Sequence, residues 1–370
     1  LSQTQVAALN ATQIKGLTAT QLQGLTTTDI GELADTQIAA LATSQISAIS
    51  QTNIKSLSTT QVGALSAAQL GALSATNFSA LDATQVGVLT ETQIKGLTTA
   101  QLGGLTTTDI GELATTQLAA LASTQIAALS PTNFSALNAT QTAALTTTQV
   151  KGLTATQLKG LATTDIAELA DTQVGALSAT QLGALTATGF SALNQTQVAA
   201  LSTTQVKGVT ADQIKGLTTT DIGELADTQV AALTADQIKN LSATNVSALS
   251  QTQIASLSST QVQALSTTQL KGLTTTDIDE LSATQVGALS AAQITALAST
   301  QVQELSTTQI GGLSSTQVGA ITPTNFSLMD ATQFGALTST QLKGLTNSQL
   351  GALNTTNVGN LADTQIAALS

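Results

Sequence analysis

The chain has 370 residues, of which 42% are hydrophobic, 8% are charged and 1% are aromatic, and its formal net charge is −11. It contains no His, Cys, Trp or Tyr, and its ten basic residues are all Lys. Without imidazole, thiolate or guanidinium groups, and with few aromatic rings that could stack on bases, we expect neither an enzyme nor a nucleic-acid-binding protein. No apolar run approaches the roughly 18 residues of a membrane-spanning helix.

An eight-residue repeat, the octad, runs through the sequence without insertion or deletion. Its first residue is Leu at all but four positions, and its sixth is Val, Ile, Leu or Phe everywhere except Thr142. The pattern Leu-[Ser/Thr]-x-Thr-Gln-[Val/Ile/Leu]-x-[Ala/Gly] occurs about 46 times. A disordered low-complexity chain has no reason to keep such a register. We therefore expect one continuous array over residues 1–370, forming a segment of a longer array.

A period of 56 residues, or seven octads, is superimposed on the octad. The segment Thr-Thr-Asp-Ile-x-Glu-Leu recurs at this spacing, and so does a Thr-Asn-Phe segment. Blocks of this length cover approximately residues 102–157, 158–213 and 214–269. The aspartates of the first segment are Asp109, Asp165, Asp221 and Asp277.

The sequence predicts one short helix in each octad. In the first octad Ser2 is the expected N-cap and Gln5 its partner, in a Ser/Thr-x-x-Gln capping box. The same frame places Pro131 and Pro323 at the first helical position, where a missing N–H costs nothing. It also places every Lys near a helix C-terminus, as the helix dipole favours. A continuous helix is excluded, because eight residues at about 100° each would rotate the apolar face by about 80° per octad.

The predicted fold is therefore an all-α solenoid, a superhelix of very short helices, with a β-solenoid or cross-β structure as the alternative. Isolated helices of this length are unstable in water, so they must stack. The two apolar columns would form the interior, with polar residues facing outward or hydrogen-bonding between turns. Representative core positions are Leu9, Ile14, Leu17, Leu113, Phe134, Leu169, Leu225 and Phe326.

Acidic trios recur along the array and suggest weak candidates for Ca²⁺ binding, since carboxylate oxygens are the ligands that this ion prefers. The other interpretation is acids near helix N-termini on a solvated face, and no further cofactor is expected. The candidates are Asp29, Glu32 and Asp35; Asp165, Glu168 and Asp171; and Asp221, Glu224 and Asp227.

Two polar columns allow further interpretations. Regularly spaced Thr on a flat solenoid face would order water and bind ice, although the same residues serve as N-caps. The Gln and Asn column would form amide ladders in a functional amyloid-type matrix protein, or it would complete the capping boxes.

The octad Leu-Thr-Thr-Thr-Gln-Val at Leu145 to Val150 resembles repeat arrays of very large secreted bacterial cell-surface and adhesin-like proteins. This resemblance covers the whole chain and implies an extracellular or cell-surface structural array. We expect a fibre or filament formed by solenoid stacking and self-association, or the stalk of a surface adhesin. Any surface anchor would lie outside this segment.

Overall fold

The computed structural model describes residues 3–369, which contain 46 α-helices of four to six residues and no strand. The prediction of an all-α solenoid with one helix per octad is confirmed. The β-solenoid and cross-β alternatives for the fold are wrong, because each octad closes its own backbone hydrogen bonds within a helical turn. No helix in residues 3–369 is both long and apolar enough to cross a membrane.

The chain divides into two compact units, residues 1–192 and 193–370. The first contains helices α1 to α24, whose bounds are Gln3–Ala7, Ala11–Lys15, Ala19–Gln23, Thr27–Glu32, Asp35–Ala40, Thr43–Ile46, Gln51–Lys55, Thr59–Gly63, Ala67–Ala72, Ala75–Phe78, Ala83–Gly87, Glu91–Lys95, Thr99–Gly103, Thr107–Glu112, Thr115–Ala120, Ser123–Ile126, Pro131–Ser135, Ala139–Ala144, Thr147–Lys151, Ala155–Lys159, Thr163–Glu168, Asp171–Ala176, Ala179–Ala184 and Ala187–Ser191.

The second unit contains helices α25 to α46 and ends in a 3₁₀ turn at Ala367–Leu369. Its α-helices span Gln195–Ala199, Thr203–Lys207, Ala211–Lys215, Thr219–Glu224, Asp227–Ala232, Ala235–Asn240, Ala243–Ser247, Gln251–Ser256, Ser259–Ala264, Thr267–Gly272, Thr275–Asp279, Ala283–Gly287, Ala291–Ala296, Ser299–Glu304, Thr307–Gly311, Ser315–Ala320, Pro323–Ser327, Ala331–Ala336, Ser339–Leu342, Asn347–Ala352, Thr355–Gly359 and Asp363–Ile366.

Each helix begins where a cap forms, as α19 shows. The Thr146 hydroxyl accepts a hydrogen bond from the Gln149 backbone N–H at 3.2 Å, and the Gln149 Oε1 accepts one from the Thr146 N–H at 2.8 Å. Thr146 is extended (φ −72°, ψ 154°), so the helix cannot run back into the preceding octad. Where the cap is Ala, as at Ala34, only the half of the box made by Gln37 Oε1 remains. Local capping therefore sets the octad as the structural unit.

Within each unit a helix packs on the helices three places before and after it in the chain, for example α12 on α9 and α15, and α34 on α31 and α37. Three octads, or 24 residues, therefore make one turn of the solenoid. The first and sixth residues of each octad fill the space between turns, and most of them are almost fully buried. Phe326 and Phe334 pack edge to face there, with ring centroids 5.2 Å apart.

The predicted core positions lie in this interior with two corrections. Leu9 and Leu17 are only half-buried, because the first residue of an octad packs against the preceding turn and no such turn lies below them in the structure. The remaining positions are at most 9% exposed; they are Ile14, Leu113, Phe134, Leu169, Leu225 and Phe326.

Some glycines allow neighbouring turns to pack closely, and no described glycine forms a left-handed helix end. No described residue has a positive φ. A Cβ on Gly71 would lie 2.6 Å from the Gly96 carbonyl oxygen, and one on Gly96 would lie 2.7 Å from the Ala67 Cβ. Both distances are shorter than van der Waals contact, so neighbouring turns approach closely only because these side chains are absent.

Candidate functional site

The fifth residue of the octad makes the polar contact between turns. In α19 the Gln149 Nε2 donates to the carbonyl oxygens of Leu118 and Leu121, both at 2.7 Å, while its Oε1 holds the cap of its own helix. These acceptors lie 31 and 28 residues earlier, in the turn below. Because Gln149 is 2% exposed, its amide satisfies carbonyls that water would otherwise have to reach.

The same pair of inter-turn bonds recurs at most glutamines of this column in both units. Further examples are Gln61, Gln101, Gln141, Gln253, Gln285, Gln309 and Gln349. The capping-box role predicted for Gln is therefore one of its two roles, and hydrogen bonding between turns is the other. Sequence reasoning left open whether Gln faces outward or bonds between turns, and the structure places it in the interface.

Asparagine at the same position makes a weaker connection. Asn53 donates from Nδ2 to the Leu25 carbonyl at 2.8 Å, and Asn77 donates to Ile49 at 3.0 Å. Each makes only the bond to the residue 28 positions earlier, because the shorter side chain does not span both acceptors. Asn octads therefore hold the turn below through one hydrogen bond instead of two.

Aspartate at this position reverses the direction of the contact. A carboxylate has no donor, and Asp109 instead accepts hydrogen bonds from the Ser79 hydroxyl and the Thr106 backbone N–H, both at 2.6 Å. Asp277 accepts from Ser247 at 2.9 Å. Asp165 likewise accepts from the Ser135 hydroxyl. In all three cases the serine lies 30 residues earlier, in the turn below.

The 56-residue period is explained by these pairs. The serines Ser79, Ser135 and Ser247 directly follow the Thr-Asn-Phe or Thr-Asn-Val segments, and their aspartates lie in the Thr-Thr-Asp-Ile segments. The two recurring segments are thus the two halves of one contact between turns. Seven octads are two turns and one octad, so the Ser135–Asp165 pair lies one octad further around the solenoid than the Ser79–Asp109 pair.

A glutamate closes each of these Asp octads and adds a second acceptor group. The Oε2 atoms of Glu112 and Glu168 are buried, and within residues 3–369 they accept no hydrogen bond. Burial raises the pKa of Glu112 above its ordinary value of 4.5, and the nearby carboxylates of Asp109 and Asp82 raise it further. Burial and Asp221 raise the pKa of Glu224 in the same way.

An open groove lies beside the first of these pairs. Lys55, Ser79, Asp82, Asp109 and Glu112 line it together with neighbouring Thr and Ala residues. The Asp82 carboxylate caps α11, and its pKa is lowered, first by the hydrogen bond from the Thr84 hydroxyl.

The acidic trios remain a prediction for Ca²⁺, and the structure shows where their carboxylates lie. Among residues 3–369 no three acidic side chains converge as ligands of a metal ion. In the first trio, Asp29 is held by the Thr26 N–H at 2.8 Å, which lowers its pKa, while Asp35 is exposed and accepts from the Thr36 N–H. Glu32 is half-buried on its own helix.

The other two trios are dispersed in the same way, because successive octads point to different sides of the solenoid. Asp165 and Asp221 are half-buried at the turn interface, Glu168 and Glu224 are half-buried at helix ends, and Asp171 and Asp227 are exposed at the start of the next helix.

The structure describes three of the four predicted capping residues. Ser2 lies outside the described residues, and Gln5 is an exposed residue of α1. Pro131 and Pro323 are the first residues of α17 and α41, whose N-caps are Ser130 and Thr322.

Threonine at the second octad position caps helices, as Thr146 does, whereas threonine at the fourth position faces solvent. In the first unit one row of exposed threonines repeats at every turn: Thr12, Thr36, Thr60, Thr84, Thr108, Thr132, Thr156 and Thr180.

Comparison with known families identifies one matching segment. Residues 38–75, which include α6 to α9, match the family model of the ALTTAQ repeat. A comparison with curated proteins finds no match to the chain. The chain is therefore a repeat-containing protein that is similar, over residues 38–75, to the ALTTAQ repeat.

Proposed function

We propose that this repeat protein is an extracellular structural array, which serves as a fibre or filament subunit or as the stalk of a surface adhesin. One observation carries the proposal: the same inter-turn contacts, made by Gln and the two apolar columns, recur at almost every octad of both units. A stack of this kind can be lengthened by whole octads, because each added octad makes the same contacts. Each turn would add about 8–10 Å, the usual distance between packed helices.

The composition of the exposed positions supports a mechanical role. Thr, Ser and Ala dominate the outward-facing positions, and only 8% of the chain is charged. Such a surface permits lateral packing of arrays with little charge repulsion. The grooves on the surface are open and shallow, and we assign no enzymatic activity to the protein.

Electron microscopy of the full chain over a concentration series tests the proposal. Filaments that lengthen with concentration support a self-assembling subunit, and thin rods of one length support a stalk. Globular particles would contradict both.

A deletion series in solution sharpens this test. Removing residues 102–157 takes out seven whole octads, so helical circular dichroism per residue is expected to persist while X-ray scattering reports a particle shorter by about 20 Å, at 8–10 Å per turn. The control removes only four residues from the same segment. It shifts the octad register and is expected to lose helix around the deletion.

A second candidate function, ice binding, is favoured by the row of exposed threonines from Thr12 to Thr180. These residues recur at every turn, so their hydroxyl and methyl groups form a regular array on one side of the first unit. Thermal hysteresis of the purified chain tests it, with Thr60, Thr84 and Thr108 replaced by Lys as the matched variant. Hysteresis that the variant loses supports ice binding, and no hysteresis at millimolar concentration removes it.

A further inference from the structure

Within residues 3–369, acidic joints interrupt the amide contacts between turns at several places. We define each as a serine, the aspartate 30 residues later and the glutamate that ends the aspartate's octad. The first joint is Ser79, Asp109 and Glu112; the second is Ser135, Asp165 and Glu168; the third is Ser247, Asp277 and Glu280.

Hydrogen-bond acceptors outnumber donors in these joints. In a Gln octad the fifth residue donates to two carbonyls of the turn below, whereas Asp109 offers no donor to the equivalent carbonyls of Phe78 and Leu81. Glu112 adds the buried Oε2 that accepts no hydrogen bond, and Glu168 repeats this arrangement in the second joint. A buried acceptor without a donor is unfavourable, so the first two joints are weak points in the stack.

We propose that the acidic joints are pH-sensitive contacts, which hold neighbouring turns more tightly once their glutamates take up a proton. A protonated carboxyl group carries an O–H donor, and the Asp109 and Asp82 carboxylates near Glu112 are acceptors. The proton comes from solvent, one for each glutamate, and no other bond changes.

The negative charges around Glu112 favour its uptake of a proton. Asp109 and Asp82 face Glu112, and Lys55 lines the same groove. Helix α14 packs on α11 and α17, and neither helix contains an ionisable residue. Negative charge therefore predominates around Glu112.

Negative charge also predominates at the second and third joints. Asp165 is the ionisable neighbour on α21, and the packed helices α18 and α24 contain none. Burial, Asp277 and Asp279 raise the pKa of Glu280, and α38, which packs on α35, contributes the further acid Glu304.

The sign of the pH effect follows from these shifts. A glutamate whose pKa is raised in the folded chain binds its proton more tightly there than in the unfolded chain. Its stabilising effect is complete below the ordinary pKa of 4.5 and is lost as the pH rises through the raised value. The joints are therefore expected to close on mild acidification and to loosen at neutral pH.

Hydrogen exchange of the full chain at about pH 5 and pH 7.5 tests the proposal, with rates divided by the intrinsic rates at each pH. The measured quantity is the protection of α14 relative to its neighbour α15, whose Gln117 makes the ordinary inter-turn bonds. We expect this ratio to rise at least about twofold on acidification.

Two matched triple variants separate the joints from the general effect of charge. Glu112→Gln, Glu168→Gln and Glu280→Gln together should abolish the pH dependence of the ratio. The control variant, Asp212→Asn, Asp236→Asn and Asp363→Asn, removes three exposed carboxylates and should leave it unchanged. Circular dichroism checks that both variants fold, and Glu112→Gln alone provides the same readout at α14.

A ratio that does not change with pH in the parent chain, or a change that persists in the glutamine variant, would overturn the proposal. Neither result bears on the proposed structural function, which depends on particle shape in electron microscopy.

Discussion

Two consecutive octads, 105–112 and 113–120, hold the turn below them in opposite ways. In octad 113–120 Gln117 donates to the carbonyls of Val86 and Leu89 at 2.9 and 2.8 Å. In octad 105–112 Asp109 donates nothing and receives a hydrogen bond from Ser79. The backbone and the apolar columns are nevertheless alike: Ile110 and Leu118 are both 0% exposed. The apolar columns therefore set the stack, while the fifth residue sets how firmly each turn is held.

The largest expected effect comes from removing a Gln contact. Gln149→Ala would leave the buried carbonyls of Leu118 and Leu121 without the donor that now lies 2.7 Å from each. We expect a loss of about 2–4 kcal/mol, from two broken hydrogen bonds and the acceptors they leave unsatisfied. Urea unfolding followed by circular dichroism measures it.

The control for this change is Gln13→Ala. Gln13 is exposed, and its side chain takes part in the capping box of its own helix with Asn10. We expect a loss of about 0.5–1 kcal/mol. Equal losses at Gln149 and Gln13 would contradict the role of the amide in joining turns.

A glycine pair sharpens the comparison, because Gly71 and Gly111 occupy the same position in a Gln octad and an Asp octad. A Cβ on Gly71 would meet the Gly96 carbonyl oxygen at 2.6 Å, whereas one on Gly111 meets nothing within 4 Å. Gly71→Ala should therefore cost about 1–3 kcal/mol through overpacking. Gly111→Ala should stabilise the helix by about 0.5–1 kcal/mol.

Thermal melts of the two alanine variants measure this difference, and the natural Ala167 at the same position of another Asp octad agrees with the second expectation. If both variants shift the melting temperature in the same direction, the close approach of turns at Gly71 does not prevent a side chain from fitting there.

A serine pair tests the reversed contact. Ser79→Ala would remove the hydroxyl donor that the turn below gives to Asp109, leaving a largely buried acceptor without it. The expected loss is about 1–2 kcal/mol. Ser47 occupies the same octad position but donates only within its own helix, to Ser44, so Ser47→Ala is expected to have almost no effect on the urea midpoint.

The sequence predicts where the helix of each octad starts. It predicts less about the contacts between turns. Pro131, Thr146 and Gln149 mark the helix starts, because capping involves residues only three positions apart. Three octads per turn depend on how Leu and Ile side chains interdigitate across 24 residues, which no local signal fixes. The half-burial of Leu9 follows from its place in the stack rather than from its octad.

The sequence contains a signal from which the Ser–Asp contacts could have been predicted. The spacing from Ser79 to Asp109 recurs from Ser135 to Asp165 as part of the 56-residue period. Interpreted as two halves of one contact, it would have indicated that residues 30 positions apart meet. The inter-turn bonds of Gln149 left no comparable signal, because almost every octad carries the same residue.

The smallest expected effect concerns the aspartates that cap helices, whose titration runs opposite to that of the joint glutamates. The pKa of Asp330 is lowered from 3.8, first by the hydrogen bond from the Thr332 hydroxyl and then by the Gln333 N–H. A lowered pKa gives stability that is present above the ordinary pKa and lost as the pH falls through the folded value. Because Asn10 forms the same capping box, Asp330→Asn should keep the cap and remove its titration.

We therefore expect the melting temperature of the Asp330→Asn chain to fall less steeply than that of the parent between about pH 4 and pH 2, where an aspartate with a lowered pKa titrates. The difference should be small, because this carboxylate is exposed and water screens it. At neutral pH the two chains should melt together. A difference confined to neutral pH would mean that the charge of Asp330, rather than its cap, matters. In that case the capping acids and the buried acids of the joints would differ in their position along the helix, and not in their hydrogen bonding.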